Sequence, residues 1–348
     1  MAVCRKNPRL SIFITLISVG TLNSSHMPAI LLSVIVIGRN EASGLPALFR
    51  SLLPLRQAFG TEAIYVDSAS SDCSATIAKE LFDHTIELAS NKNLNASAGR
   101  YVGTLFAKGR WLLFLDGDME LVSNIVPELI QHVSNPSETR GATGRYVHEY
   151  QDGSRYVWKP RVSGSGVVAH FGGAVLLPAR VLALENWDPR LFSNEEIDLY
   201  ARLRSHGVAV RSFTTDFVRH KTETHSWFSI LKSNYIAKGS FLGKKFGGIG
   251  QVLHARIDDG RILDLIRWLP EPFVLWVGTL LAIMLSVTAS WIYSFVAIAV
   301  AIAFVSVRKP LKYVLLYYAF LFQAAHGWRL LDKDWRPIVT SVFAKTAA

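Results

Sequence analysis

Between Leu31 and Leu115 short, continuous apolar runs alternate with longer segments of mixed polarity. Leu31–Ile37 (LLSVIVI) is β-branched and unbroken by polar alternation, the pattern of a strand buried on both faces. Glu41–Phe59 reads as a helix and Ala63–Val66 (AIYV) as a second strand. Ser70–Leu81 reads as a second helix, with Ser70, Ser71 and Asp72 as cap candidates. Ser97–Lys108 reads as a third helix and Trp111–Leu115 (WLLFL) as a third buried strand. This order predicts an α/β domain with a mostly parallel sheet. Ligands of such sheets bind beyond the carboxyl ends of the strands.

The pattern changes after residue 255. From Pro272 to Val307 no residue is charged. As one helix this stretch would run roughly 54 Å, against a hydrocarbon core of about 30 Å. The expectation is therefore two crossings with a turn near Thr288–Ser294. A third apolar stretch, Tyr313–Trp328, has the marginal length at which crossing and not crossing are both open. Arg256, Arg261 and Arg267 precede the hairpin, and Arg308, Lys309 and Lys312 follow it, which places both flanks and the α/β domain on the cytoplasmic side. Ile262, Leu265, Ile266 and Leu269 share one helical face, the pattern of an interfacial or core-packing helix. At the other end, Arg5, Lys6 and Arg9 precede an apolar Leu10–Leu22 with no small-x-small cleavage site after it. A short anchor, a signal peptide and an extension upstream of a start at Met27 all fit; the strand beginning just after Met27 favours the last.

Composition agrees with a chain partly outside water. Half of the 348 residues are hydrophobic, 18% are charged and the mean hydropathy is +0.25. That excludes disorder. Two cysteines, Cys4 and Cys73, exclude a disulfide framework and a cysteine zinc site. The net charge of +10 is largely juxtamembrane, and no nucleic-acid motif accompanies it, so no nucleic-acid partner is expected. Gly164–Ala169 fits a dinucleotide pattern, but neither a buried strand before it nor a helix after it is predicted.

Polar and acidic residues collect at all three strand ends: Gly38, Arg39, Asn40 and Glu41 after the first, Asp67 to Asp72 after the second, and Asp116, Gly117 and Asp118 after the third. Asp72 is explained as a helix cap. Asp116 and Asp118 are not, because two carboxylates so close stay ionised only beside a cation or donors. Hard oxygen ligands at a partly open site suit Mg²⁺ or Mn²⁺ with substrate phosphates.

Four segments, Ser33–Leu45, Ala63–Asp72, Ala96–Asp118 and Ser193–Gly207, resemble in order and spacing family 2 of the inverting nucleotide-sugar glycosyltransferases with the GT-A fold. The resemblance spans about Leu31 to Arg211. It implies donor-nucleotide contacts from Gly38, Asn40, Glu41, Asp67, Arg100 and Asp116, with Gly172 and Gly173 as a small-residue turn beside the donor sugar. It implies a divalent metal, Mg²⁺ or Mn²⁺, on Asp118 and Asp116. It also implies a general base within Glu195, Glu196 and Asp198, where this chain has Glu196 in place of the usual Asp, leaving Glu195 or Glu196 as the base. Inversion needs such a base to take the acceptor hydroxyl proton, and a Lewis acid to neutralise the departing diphosphate. Simpler alternatives are a solvated helix N-terminus for the acidic cluster and a plain turn for the glycines. A late His completes the metal site in some relatives of the family, but surface positions are the favoured reading for His220 and His225. The basic segment from Arg219 to Lys245 suits a membrane surface, a diphosphate or solvent.

The expected organisation is an N-terminal extension (1–29), a GT-A domain (30–255), an interfacial linker (256–271), a membrane region of two or three helices (272–328) and a tail (329–348). Processive synthases of the family carry (Gln/Arg)-x-x-Arg-Trp at the membrane entrance; here Asp264 replaces the first residue before Arg267-Trp268. The expected function is single-sugar transfer from a nucleotide-sugar donor to a lipid-linked or saccharide acceptor at the inner or plasma membrane. The alternatives are a polysaccharide synthase subunit and a non-catalytic nucleotide-sugar-binding protein.

Overall fold

A computed structural model describes residues 30–58, 60–91, 93–150, 152–222, 241–288, 291–308, 314, 317–318 and 327–345. The N-terminal extension, His225 with most of the basic segment, and most of Tyr313–Trp328 lie outside the described residues. The chain divides into two compact units, one of 1–189, 208–224 and 335–348, the other of 190–207 and 225–334.

The first unit is built on one sheet. Its strands are β1 (Leu32–Gly38), β2 (Thr61–Asp67), β3 (His84–Leu88), β4 (Trp111–Asp116), β5 (Met119–Leu121), β6 (Gly141–Tyr150), β7 (Arg155–Trp158), β8 (Val175–Pro178), β9 (Val210–Thr222) and β10 (Val339–Ala344). They run in the order β10-β3-β2-β1-β4-β8-β6-β9-β5, with β7 paired to β6. β3, β2, β1 and β4 are mutually parallel, which for β1, β2 and β4 is the predicted arrangement, while β8, β5 and β10 join antiparallel. The helices are α1 (Leu45–Ala58), α2 (Ser74–Leu81), α3 (Ala96–Phe106), α4 (Val126–Ser134) and α5 (Ala179–Leu182).

Burial explains the unbroken apolar code of β1. Leu32, Val34 and Val36 join a core with Leu45, Leu48, Leu52 and Leu55 of α1. On the other face α3 lies very close: a Cβ on Gly103 would come within 2.3 Å of Ile35, and one on Gly99 within 3.0 Å of Ile37. Only glycine permits that approach, and it brings Arg100, between them, onto the strand ends.

The first two helices start later than expected, at Leu45 and Ser74, because polar groups hold their leading residues in loops. Asn40 and Ala69 adopt left-handed backbone, with φ of 63° and 57°. The Asn40 amide donates to Ser70 Oγ, Ser71 donates to Asn40 Oδ1, and Asp72 accepts from Ala42 and Ser74. The sequence pattern missed β3, the β6–β7 hairpin and the long β9, whose mixed polarity lacks the unbroken apolar run of β1 and β4.

The second unit contains α6 (Glu195–Ser205), α7 (Phe241–Asp258), α8 (Ile262–Trp268), α9 (Pro270–Thr288) and α10 (Trp291–Arg308). Leu191 and Ala201 from around α6 pack with Val252 and Ala255 of α7 and Leu265 of α8. The uncharged stretch forms two helices, α9 and α10, as its length predicts. Gly278 lies so near Ala301 that an added Cβ would come within 2.6 Å of that residue's Cβ. Among the described residues one helix, Pro270–Val287, is long and apolar enough to cross a membrane; Trp291–Val307 is a shorter apolar helix.

Candidate active site

Sheet register assembles the predicted donor residues of the first unit. Gly38 stands opposite Asp67 on β2, and Ile37 opposite Asp116 on β4, so three strand ends share one rim. Asp67 is 2% exposed. Its carboxylate accepts from the Ser70 amide at 2.8 Å and the Ser70 hydroxyl at 2.5 Å. Burial raises its pKa above the usual carboxylate range, and those bonds pull it back.

Arg100 reaches across from α3 and donates from a terminal guanidinium nitrogen to Asp116 Oδ1 at 2.7 Å. Its guanidinium also lies 4.9 Å from the Trp187 ring centroid. Gly173 completes this corner: a side chain there would press within 2.5 Å of Asp116 Oδ2 and 2.7 Å of Arg100. Gly172 abuts the Tyr146 hydroxyl, which itself donates to the Ala174 carbonyl. Gly173 therefore serves close packing against the Asp116–Arg100 pair, and Gly172 close packing against Tyr146.

Glu41 carries the electrostatic signature of the rim. Its pKa is pushed up to about 7, first by burial and then by the negative charges of Asp118, Asp116 and Asp72. His220 acts the other way. The local field is thus short of positive charge.

Asp118 follows β4 and immediately precedes β5. Its Oδ2 lies 2.9 Å from His220 Nε2, while Oδ1 is buried and has no hydrogen-bond partner among the described residues. His220 corrects the surface expectation: β9 runs back beside β5, with Met119 opposite His220, and carries the imidazole to the carboxylate. Next to it, His148 of β6 stands in register with His220, their Nδ1 atoms 3.1 Å apart. Sequence reasoning missed His148 altogether, since only the pairing of two strands far apart in the chain brings it there. Among the described residues, no three His, Cys, Asp or Glu side chains are arranged as a ready metal chelate.

Glu195, Glu196 and Asp198 belong to the second unit, in the first turn of α6. Asn194, just before it, is left-handed at φ 62°, a sparsely populated conformation that clusters at functional sites. The turn is not the solvated helix end of the simplest alternative. Glu195 is 5% exposed and Asp198 is 1% exposed. Asp198 pairs with Arg202 at 2.9 Å and with Arg256 of α7 at 3.1 Å. Gln251 of the same helix accepts from the Phe192 amide at 3.0 Å. Asp198 is therefore a tie between α6 and α7, whereas Glu196 is partly open. Trp268 of the Arg-Trp element is flanked by Arg204 at 4.5 Å and Arg267 at 5.4 Å, and Asp264 pairs with Arg261 at 2.9 Å.

Residues 33–185 match the model of glycosyl transferase family 2. The chain carries a family 2 glycosyltransferase domain. It is accordingly an enzyme of nucleotide-sugar transfer. The crystal structure of S. aureus TarS 1-349 in complex with UDP-GlcNAc resembles this chain with a TM-score of 0.50 at 16% identity, covering 86% of this chain and 89% of that one. TarS 1-349 without a stated ligand gives a TM-score of 0.49 at 13% identity, over 77% and 90%. At such identity the first likeness supports the GT-A-like α/β fold alone. No curated protein matches the chain.

Proposed function

We propose that this family 2 enzyme is membrane-attached and transfers a single sugar, with inversion, from a nucleotide-sugar donor to a lipid-linked or saccharide acceptor used in cell-envelope polysaccharide assembly. The observation that carries the donor reading is the rim itself: Glu41, Asp116 and Asp118 converge there, and burial first, then these acidic neighbours, lift Glu41 to about 7.

These residues fit a divalent cation. Asp118 offers a buried oxygen without a hydrogen-bond partner among the described residues, and its other oxygen lies 2.9 Å from His220 Nε2. Two neighbouring ligands of an octahedral ion, each about 2.1 Å from it, are about 3 Å apart. Asp118 and His220 would hold Mg²⁺ or Mn²⁺, with Asp116 beside them. Such an ion neutralises charge on the departing diphosphate. Asp116 is oriented by Arg100, and Asp67 holds the 68–72 loop, leaving lone pairs for donor hydroxyl or base N–H groups. Glu196 is assigned as the base that takes the acceptor hydroxyl proton, being more open than the buried Glu195 and Asp198. UDP-GlcNAc, present in the TarS complex, is the first donor to test.

Membrane attachment rests on α9 and α10. Only 28% of Pro270–Val287 is buried, whereas a core helix would be mostly covered. Leu280, Ile283, Met284 and Val287 of α9 and Trp291, Phe295, Val296 and Val300 of α10 are exposed. Apolar surface on that scale marks contact with lipid or protein. With the basic flanks, this supports the reading of a multi-pass inner or plasma membrane protein with a cytoplasmic catalytic domain.

The test is transfer of labelled sugar from a panel of nucleotide sugars to isolated lipid-linked acceptors, with the anomeric configuration of the product read by NMR. The reading expects one sugar per acceptor, inverted, and loss of at least a hundredfold in kcat for Glu196→Gln. Retention, or full activity in Glu196→Gln, rejects it.

A further inference from the structure

The strands place three side chains in a row that the donor chemistry does not itself demand. Asp118 precedes β5, His220 lies on β9 opposite Met119, and His148 lies on β6 opposite His220. The links are Asp118 Oδ2 to His220 Nε2 at 2.9 Å and His220 Nδ1 to His148 Nδ1 at 3.1 Å. The His148 ring is itself held, stacked near Tyr156 at 5.9 Å and Tyr146 at 6.3 Å between centroids.

A neutral imidazole carries one proton, so its two nitrogens cannot both donate. While His220 Nε2 donates to Asp118, its Nδ1 is an acceptor and His148 must donate. Once Nε2 gives its lone pair to a cation, the proton sits on Nδ1 and His148 must accept. A side chain that can be either donor or acceptor at the same atom satisfies both states, and an imidazole does so by exchanging tautomers. Histidines that bind metals commonly give their other N–H to such an outer partner, which fixes the ring and raises its basicity.

We propose that His148 is a positioning residue that prepares His220 to bind the divalent cation, by holding its ring and accepting its Nδ1 proton. The proposal rests on the reading of Asp118 and His220 as cation ligands. His148 touches neither donor nor reacting atoms; it acts through His220.

The test is an EPR titration of the purified full-length protein in detergent with Mn²⁺ alone. The comparison is of wild type with His148→Phe, His148→Gln and His220→Ala, and all four are also melted in EDTA. His148→Phe is expected to weaken Mn²⁺ binding 10- to 100-fold, the usual effect of losing an outer partner. His148→Gln, whose amide can still accept, recovers most of that loss, and His220→Ala binds most weakly. Melting in EDTA stays within a few degrees for all variants. If His148→Phe binds Mn²⁺ like wild type while His220→Ala does not, the role of His148 is overturned and the cation site stands. If His148→Phe melts far lower in EDTA and His148→Gln restores neither property, His148 is merely structural and the proposal fails. Wild type that takes up no Mn²⁺, or His220→Ala that binds like wild type, overturns the cation reading beneath it.

Discussion

Two groups of carboxylates in this chain have opposite electrostatic settings. In the second unit Asp198 is buried between Arg202 and Arg256, at 2.9 and 3.1 Å. At the sheet rim of the first unit, Glu41, Asp116 and Asp118 crowd together, and Glu41 is lifted to about 7 by burial and by its acidic neighbours. Arg100 is committed to Asp116 and His220 to Asp118. A neutralised carboxylate is a tie; a cluster still short of positive charge is a binding site for something that brings it. The same residue type therefore serves structure in one place and ligand binding in the other.

The sharpest way to break that contrast is to neutralise one member of each group. Asp118→Asn should abolish transfer, by about a thousandfold or more, since several kcal/mol of charge stabilisation depend on the cation. Its melting temperature should stay level or rise, because a repulsive charge is removed. Asp198→Asn should do the reverse and lose roughly 3–5 kcal/mol of stability by removing the buried charge that two arginines share. Paired melting and activity measurements decide this, and equal loss of stability in both variants would erase the distinction.

A smaller effect probes the packing behind the rim. Gly173→Ala inserts a methyl group within 2.5 Å of Asp116 and 2.7 Å of Arg100. Donor affinity should fall roughly tenfold, about 1.4 kcal/mol, with little change in melting, as calorimetric titration would report.

The smallest effect concerns pH. In metal-free protein Glu41 has a folded-state pKa near 7, above its ordinary 4.5. Its contribution to stability is then fully present below about pH 4.5 and is lost as pH rises through about 7. Glu41→Gln, which cannot ionise, should exceed wild type in stability at pH 8 by on the order of 1 kcal/mol, discounted because the group is half-buried. The two should converge near pH 4.5, and Mn²⁺ should narrow the gap at pH 8. Denaturant titrations at the two pH values measure it.

The parallel core and its acidic strand ends were legible because buried strands write themselves as unbroken β-branched runs and their ends as abrupt polarity. Leu31–Ile37 and Trp111–Leu115 each show that change, and Gly38, Asp67, Asp116 and Asp118 follow from it. What lay beyond reading was long-range pairing. His220 sits in a stretch whose polarity suggests a surface, and only the β5–β9 pairing turns it toward Asp118. His148 was silent for the same reason. Position alone groups Asp198 with Glu195 and Glu196; its two arginines, one of them on α7, come from packing that the sequence pattern does not display.

The acidic rim is proposed to bind a nucleotide sugar through a divalent cation. Thermal melting of wild type and Asp118→Asn with a panel of nucleotide sugars, each with Mn²⁺ and with EDTA, tests that most directly. One donor should stabilise wild type only when Mn²⁺ is present, by an increment that grows with donor concentration, and should leave Asp118→Asn unmoved. A donor that stabilises both proteins equally in EDTA, or a panel in which none stabilises wild type with Mn²⁺, would contradict it.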